Sequence, residues 1–399
     1  MLAGAGHALA RGDALRALGL VGRADDSLGL TLRGIAYAQL GDLDLARRSL
    51  RRASGLTKAP LERARIQAAL AEIAMSDGDP GPAARAARES ADELARLGDP
   101  RNAAMQRLVL ARAEVLQGRL AEARHVVSEV LAETTLPSGV RAVAWLAAAE
   151  IAVRAALASA ARDALKKARE AMASAPNELL ARALVALEAE LSQPIARLER
   201  GGVVRSADLF AIEAASTGEV LLVDACRRLV IGARASVPLA KRPVLFALLL
   251  TLARAWPHEV PRDGLASRAF GVTKVNASHR SRLRVEVGRL RKVLSGLAEP
   301  LATDEGYALD SPREVMTLLP PSDDDDARIA ILLGDGASWS AQGLAEHAGV
   351  SKRTAQRVLS ALVERGSATR SGKGKDVRYT RSGPRIASRM LLLGLVPSS

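Results

Sequence analysis

The amino-acid sequence predicts a mainly α-helical protein in which an N-terminal helical solenoid is followed by two small α+β domains. Aromatic residues make up only 2% of the chain while alanine and leucine are abundant, which favours closely packed helices. A short phrase of residues repeats through the first half, and β-prone runs begin only after residue 200. Because 399 residues are too many for one core, we predict domains at 1–200, 203–318 and 323–399.

The repeated phrase in the first half is a glycine followed five residues later by an alanine. Its copies are at Gly41–Ala46, Gly78–Ala83, Gly118–Ala123 and, more weakly, 151–160. Each glycine lies between two helical periodicities, where one helix must end and the chain must turn. Each alanine lets the next helix approach its partner closely. The pattern therefore predicts a series of helical hairpins.

The best copy resembles a tetratricopeptide repeat, since it matches that family at Leu30, Gly34, Tyr37, Gly41, Ala46, Leu50 and Ala53. The resemblance covers roughly residues 25–190 and implies a curved helical array that takes a peptide or partner helix. We therefore expect a protein or peptide partner, or an effector, on this domain. A spacer or dimerisation scaffold is the alternative. His7 and His125 are isolated from other ligand-type residues, so no metal site is predicted here.

Charge and cysteine content indicate the partners and the compartment. A net charge of +13 favours a polyanionic partner such as nucleic acid. Cys226 is the only cysteine and is predicted to be a packed residue, which fits a reducing compartment. Met1–Ala10 lacks the features of a signal peptide, and Val244–Ala253 is too short to cross a bilayer. We expect a cytoplasmic protein that makes no membrane contact.

The order of elements after residue 200 differs from that of the repeats. Strands are predicted at 220–223, 229–231 and 236–239, where apolar residues cluster between turn-forming ones. Helices are predicted from Pro243 to Ala255, over 262–270 and over 278–297, followed by a hairpin. The third helix has a buried stripe formed by Leu283, Val287, Leu290, Leu294 and Leu297.

The third helix also carries most of the cationic residues of this domain, against the single acid Glu286. They are Arg280, Arg282, Arg284, Arg289, Arg291 and Lys292. A cationic helix suits the major groove, because phosphates attract it and arginine can read guanine edges with paired donors. We therefore predict that these residues bind double-stranded DNA. A solvated surface helix is the alternative.

Three segments of this domain resemble the OmpR/PhoB-type winged helix: Leu239–Pro243, Arg289–Lys292 and Thr303–Leu309. The resemblance covers about residues 218–312 and implies that the third helix enters the DNA major groove. Asp304 and Glu305 occupy the tip of the hairpin, where the family often has basic or glycine residues. We therefore do not expect this hairpin to enter the minor groove.

The C-terminal segment predicts a second helix-turn-helix after an acidic linker at 320–326. A helix through Leu333 is followed by helices at 340–347 and 351–365, with a tight turn at 348–350. The last helix buries Ala355, Val358, Leu359 and Leu362 and leaves a cationic face outward. Two short strands then flank a flexible cationic tip at 371–376, which suits phosphate contact.

The stretch 341–381 resembles bacterial winged helix-turn-helix repressors of the MarR-like and DeoR-like kind. The resemblance implies a DNA-reading helix and a DNA-contacting hairpin. The residues predicted to contact DNA are Ser351, Lys352, Arg353, Thr354, Gln356, Arg357, Lys373, Lys375 and Arg378. The apolar run Met390–Val396 is interpreted as a docking helix, and the oligomeric state is left open, a homodimer included.

The sequence as a whole resembles a bacterial transcriptional regulator that binds specific DNA sequences through two winged helices. A protein-interaction adaptor, in which repeats and winged helices all bind proteins, is the alternative. We predict no catalytic residue, no metal and no cofactor, because the chain shows no phosphate-binding glycine loop, no cluster of metal ligands and no nucleophile beside a base.

Overall fold

A computed structural model of the chain describes residues 1–76, 80–217, 219–233, 235–334, 338–372 and 374–381. These residues are mainly α-helical, with smaller sheets in the C-terminal half. The chain divides into two compact units. Residues 1–191 and the strands after residue 366 form the first unit, and residues 192–334 and 339–365 form the second. Within the described ranges, no helix is long and apolar enough to cross a membrane.

The first unit contains eleven of the helices in the described part of the chain. They are α1 (Leu2–Ala10), α2 (Ala14–Val21), α3 (Ser27–Leu40), α4 (Leu43–Leu56), α5 (Pro60–Ser76), α6 (Pro80–Arg96), α7 (Pro100–Leu116), α8 (Leu120–Ala132), α9 (Ser138–Arg154), α10 (Ala158–Ser174) and α11 (Glu178–Ser192). From α1 to α10 each helix packs against the next, and α1, α3, α5, α7 and α9 also contact one another in a row. The predicted succession of hairpins is therefore present.

The two sets of helices in this row differ in how they are buried. Helix α4 buries one stripe formed by Ala46, Leu50 and Ala53. Helix α7 instead buries residues around its circumference, polar side chains such as Gln106 and Glu114 included. Because α7 is covered by neighbours on several sides and α4 on one, the apolar pattern is clear on α4 and weak on α7.

The turns between paired helices share one backbone geometry. Gly41 and Gly118 have φ of 91° and 77°, in the left-handed region that glycine tolerates best. The amide after each glycine bonds five residues back, as from Asp42 N–H to the Tyr37 carbonyl at 2.9 Å. The turns predicted at Gly41 and Gly118 are confirmed. In the weaker copy Ala156 takes the same place with φ of 56°, and Gly78 lies outside the described residues.

The second unit is organised around a mixed sheet in the order β2-β1-β9-β3-β4-β5. Its strands are β1 (Ala196–Arg200), β2 (Val203–Ala207), β3 (Leu221–Asp224), β4 (Leu229–Ile231), β5 (Ser236–Pro238) and β9 (Val315–Leu319). All pairs are antiparallel except β3 with β9. A short helix, α12 (Leu209–Ala215), precedes β3. The three strands predicted between 220 and 239 are confirmed.

The boundary between the repeats and the following domain differs from the prediction. Residues 196–200 were assigned to the repeat domain, but they form β1, in which Leu198 pairs with Leu318 of β9. The second unit accordingly begins at Ser192, the last residue of α11. The partner strand is more than a hundred residues away in sequence, so no local signal marks this pairing.

Three helices and a small sheet complete the first part of the second unit. The helices are α13 (Pro243–Ala255), α14 (Arg262–Phe270) and α15 (Ala277–Val293), and the strands are β6 (Val260–Pro261), β7 (Glu299–Ala302) and β8 (Gly306–Asp310). Leu249 of α13 and Leu290 of α15 are fully buried in one core. Cys226 is also buried, as predicted, and this burial raises the pKa of its thiol. Helix α15 ends four residues before the predicted position.

The C-terminal part contains α16 (Asp325–Leu333), α17 (Ala341–Ala348) and α18 (Lys352–Glu364), which pack against one another. Strands β10 (Ala368–Ser371) and β11 (Arg378–Arg381) form an antiparallel hairpin around a 3-10 turn at Gly374–Asp376. This hairpin belongs to the first unit, whereas the sequence assigned it to one domain with residues 323–365. The predicted docking helix Met390–Val396 lies outside the described residues.

Candidate nucleic-acid interface

Helix α15 is oriented by a capped N-terminus and a buried stripe. The Asn276 side chain accepts a hydrogen bond from the His279 amide at 2.9 Å, and the His279 ring accepts one from the Asn276 amide at 3.3 Å. This reciprocal cap defines where the helix begins. Leu283, Val287 and Leu290 face the core, so the opposite face is exposed to solvent.

Most of the cationic side chains predicted on α15 are already engaged by neighbouring groups. Arg280 forms two hydrogen bonds to Asp263, at 2.8 and 2.6 Å, and this bonding lowers the pKa of the Asp263 carboxyl. Arg289 pairs with Glu286 at 2.9 Å. The free charge on α15 is therefore smaller than its composition indicates.

Two further arginines of α15 are held by packing or by a strand. Arg291 pairs with Glu299 of β7 at 2.9 Å and donates to the Pro300 carbonyl at 2.8 Å. The Arg282 guanidinium lies 4.5 Å from the centre of the Phe270 ring, a cation–π distance. Within the described ranges, this leaves Arg284 and Lys292 with neither an acidic partner nor an aromatic contact of this kind.

The exposed face of α15 has a small and apolar centre that sequence reasoning missed. Val285 is 54% exposed, and Ser281 and Gly288 lie on the same face. An apolar residue opposite the buried stripe of a cationic helix was the available signal. Such a surface permits close approach of a groove and contact with a thymine methyl group.

A depression of about 500 Å³ lies between the N-terminus of α13 and the C-terminal half of α15. Arg242, Arg289 and Lys292 line it together with one acid, Glu286. The first turn of α13 has no side-chain cap, so its positive helix end is free for an anion. Arg242 lies in the segment Leu239–Pro243 that resembles the OmpR/PhoB-type winged helix, but it was not predicted as a site residue.

Helix α18 is also capped, and two predicted DNA-contacting residues form the cap. The Ser351 hydroxyl accepts the Thr354 amide at 3.0 Å, and the two side-chain oxygens are 2.8 Å apart. Ala355, Val358 and Leu359 are buried as predicted. Ser351 and Thr354 therefore orient the helix through their hydroxyls.

The remaining predicted residues of α18 are exposed and mostly free. Among the residues that the structure describes, Lys352 and Arg353 have no acidic partner, and the Gln356 side chain has no hydrogen bond. Arg357 is 3.5 Å from Asp326, with both side chains exposed, so solvent screens this pair. The outward side of the first two turns of α18 thus presents free cationic and amide donors.

The predicted residues of the hairpin are less well defined. Arg378 donates to the carbonyl of Val377 at 3.0 Å and is partly buried in β11. The backbone of Lys375 lies in the 3-10 turn, and Lys373 lies outside the described residues. At the end of the hairpin, the Arg381 carbonyl accepts a hydrogen bond from Arg154 at 3.1 Å, and its guanidinium pairs with Glu190 at 2.7 Å.

One contact in the second unit joins helices α16 to α18 to the part that contains α13 to α15. The turn between α17 and α18 contains Gly349, with φ of 72°, and a Cβ added there would lie 1.6 Å from the Arg228 guanidinium. Arg228, in the turn between β3 and β4, lies 5.7 Å from the Phe246 ring of α13. Burial and the nearby Arg328 lower its pKa. The turn before α18 therefore packs directly against the part of the unit that holds α15.

No family model matches this chain, and no curated protein or solved structure is significantly similar to it. The described residues contain no group of three or more histidine, cysteine, aspartate or glutamate side chains arranged to hold a metal ion.

Proposed function

We propose that the protein is a sequence-specific DNA-binding transcriptional regulator. The observation that carries this proposal is the first half of α18, where Lys352, Arg353 and Gln356 are exposed and free beside a capped N-terminus. A helix with free arginine and amide donors on its outward face matches what the major groove requires. The short turn at Gly349 supports a helix-turn-helix in which α18 is the reading helix.

The order of elements supports two winged-helix modules behind a tetratricopeptide-like solenoid. Sheet, α13, α14, α15 and hairpin β7–β8 follow the order of an OmpR/PhoB-type domain. Helices α16 to α18 are followed in the chain by β10 and β11, in the order of MarR-like and DeoR-like modules. Sequential packing of α1 to α10 supports the solenoid.

The free side chains have two proposed roles, contact with base edges and contact with phosphates. Arg353 and Gln356 extend from the outward face of α18, which would face the base edges if the helix lay in the major groove. Lys352, Lys292 and Arg242 are suited to phosphates, which set register and supply most of the salt-dependent affinity. The engaged arginines of α15 act mainly as supports for the surface around Val285.

The repeat domain is proposed to bind a protein or peptide partner, or an effector. Binding is proposed to change the DNA affinity of the chain through the C-terminal hairpin. Arg154 holds the Arg381 carbonyl and also pairs with Glu150 at 3.3 Å, and Glu150 pairs with Arg112 at 3.0 Å. The Arg154, Glu150 and Arg112 side chains are each at least nine-tenths buried. A shift of α9 would break contacts that are costly to leave unpaired, so the proposed coupling requires a second arrangement in which these charged groups are again paired.

An interaction adaptor is the second candidate function. It is favoured by α15, where four of the six predicted cationic residues are engaged within the protein. A helix whose charges are neutralised is better suited to a protein surface than to a phosphate backbone.

The experiment that separates these functions is selection from a genomic fragment pool by the full-length chain at near-physiological salt, followed by sequencing. Enrichment of a few fragments with a shared motif supports the regulator. Uniform retention that disappears with modest added salt supports the adaptor. The double variant K352A/R353A should lose the enrichment, while R124A, which removes an exposed cation from α8, should keep it.

A further inference from the structure

The first unit contains a cavity of about 440 Å³ that the proposed DNA contacts do not use. It lies between the end of α1, the starts of α7 and α9, and the connection from α10 to α11. This volume is in the range of sites for small organic ligands. All of its lining residues lie in the described part of the first unit.

The arginines that line this cavity give it a positive charge. Arg11 and Arg101 line it, and none of the lining residues is an aspartate or a glutamate. The Arg101 Nε is buried and has no hydrogen-bond partner among the described residues. No acceptor contacts the Arg101 side chain within the described residues, so an anion in the cavity would supply one to its guanidinium.

The start of α9 adds further donors to the same cavity. Its N-cap residue is Pro137, which provides no side-chain cap. The amides of Ser138 and Gly139 and the Ser138 hydroxyl have no partner within the described residues, and both residues line the cavity. Free amides at the positive end of a seventeen-residue helix favour a negative charge.

Apart from His7, Ser174 and Asn177, the remaining wall of the cavity is apolar. Met105, Val140, Val143 and Leu180 line it. Charge at one side and apolar surface at the other select a ligand with both properties. Inorganic phosphate alone would leave the apolar wall uncovered, and an uncharged hydrocarbon would leave the donors unpaired.

We propose that this cavity binds a small organic anion, a carboxylate or phosphate group on an apolar body, with Arg101 and the start of α9 holding the charge. This inference rests on the effector-binding part of the proposed function and names the chemical class of the effector. Val143 and Leu180 also line a smaller cleft that contains Arg112 and Glu150. The ligand would therefore pack against two residues that also line the cleft holding the Arg112–Glu150 pair.

The test is isothermal titration calorimetry on the full-length chain without DNA, using sodium octanoate, octyl phosphate, 1-octanol and inorganic phosphate. We expect the two octyl anions to bind at one site and 1-octanol to bind at least about tenfold more weakly, since it lacks charge-assisted hydrogen bonds. The tighter of the two anions identifies the head group as carboxylate or phosphate. Inorganic phosphate should bind more weakly than octyl phosphate.

Matched variants locate the binding. R101Q should lower the affinity for the octyl anions by about tenfold or more and leave that for 1-octanol unchanged. R11Q is the second variant, because Arg11 is exposed and its replacement should not disturb folding. R124Q, on α8, should bind like the parent chain.

Three results would overturn the proposal: no binding of either anion, equal affinity for 1-octanol and octanoate, or an equal loss in R101Q and R124Q. Because no DNA is present, failure here leaves the DNA-binding proposal standing. Failure of the fragment selection likewise leaves the anion site standing.

Discussion

Helices α15 and α18 follow the same plan but present their charge differently. Each follows a helix that ends at a left-handed glycine, Gly271 or Gly349, and each begins at a side-chain cap. The cationic residues of α15 outnumber those of α18, yet α18 has more that are free in its first two turns. The number of cations in a helix therefore does not measure the charge that it offers to a polyanion.

The difference comes from the elements packed around each helix. Helix α14 brings Asp263 to Arg280, and β7 brings Glu299 to Arg291. Helix α18 meets one neighbouring acid, Asp326, and that pair is long and exposed. A single contact of 3.5 Å between exposed groups holds an arginine less firmly than the two short bonds from Arg280 to Asp263, so Arg357 is more readily available to a polyanion. The following predictions test this comparison, starting with the largest expected effect.

The two glycines should differ in their tolerance of alanine. G271A should cost about 1–2 kcal/mol, since it places a side chain in the left-handed region with open space around it. G349A should cost roughly 1–3 kcal/mol more, because the new Cβ displaces the packed Arg228 guanidinium. Urea unfolding of both variants measures the difference. Equal losses would show that Arg228 moves away freely.

Replacing the free Arg353 of α18 and replacing the engaged Arg280 of α15 should have different effects on DNA affinity. On a selected fragment, R353A should weaken binding by about tenfold to a hundredfold, because it removes a base or phosphate contact. R280A should change affinity by less than about threefold, since its guanidinium is already bonded to Asp263. Fluorescence anisotropy at fixed salt measures both. A larger loss in R280A would make α15 the principal reading helix.

The N-terminal caps of α15 and α18 should contribute equally to the free energy of unfolding. S351A and N276A should each destabilise the protein by about 1 kcal/mol, because each removes the side-chain acceptor for an amide of the first turn. Thermal and denaturant unfolding report this loss. A much larger loss of DNA affinity in S351A than in N276A, at equal stability, would add a direct DNA contact to the capping role of Ser351.

The smallest expected effect is a gain. D263N should raise DNA affinity by roughly twofold to fivefold, because it releases Arg280 from an exposed ion pair and removes a negative charge near the phosphates. The double variant D263N/R280A should lose this gain. No change in D263N would mean that the Arg280 side of α15 does not face DNA.

Much of the local structure followed from short signals in the sequence. Helices α13 and α14 have the predicted bounds, because Pro243 suits the first turn of a helix and Gly271 ends one. The turns at Gly41 and Gly118 were predicted for the same kind of reason. Each of these features is specified by residues within a few positions of each other.

Features that depend on distant residues did not follow from such signals. Strand β1 joins the sheet of the second unit by pairing with β9, and the hairpin end at Arg381 is bonded to Arg154 and Glu190 of the first unit. The engagement of Arg280 by Asp263 and the packing of Arg228 against Gly349 are likewise long-range. No periodicity or motif encodes which distant acid meets a given arginine.

The sequence was thus sufficient for the mainly helical class, the positions of the helices after residue 240 and the two cationic helices, since propensity, capping and apolar spacing are local properties. Only the tertiary structure decided which of the cations remain free, where the first domain ends and which helix ends and arginines surround the cavity at α9. Ion pairs and cavities form where separate elements meet, and their free energy depends on distances and burial that arise only when the chain is folded.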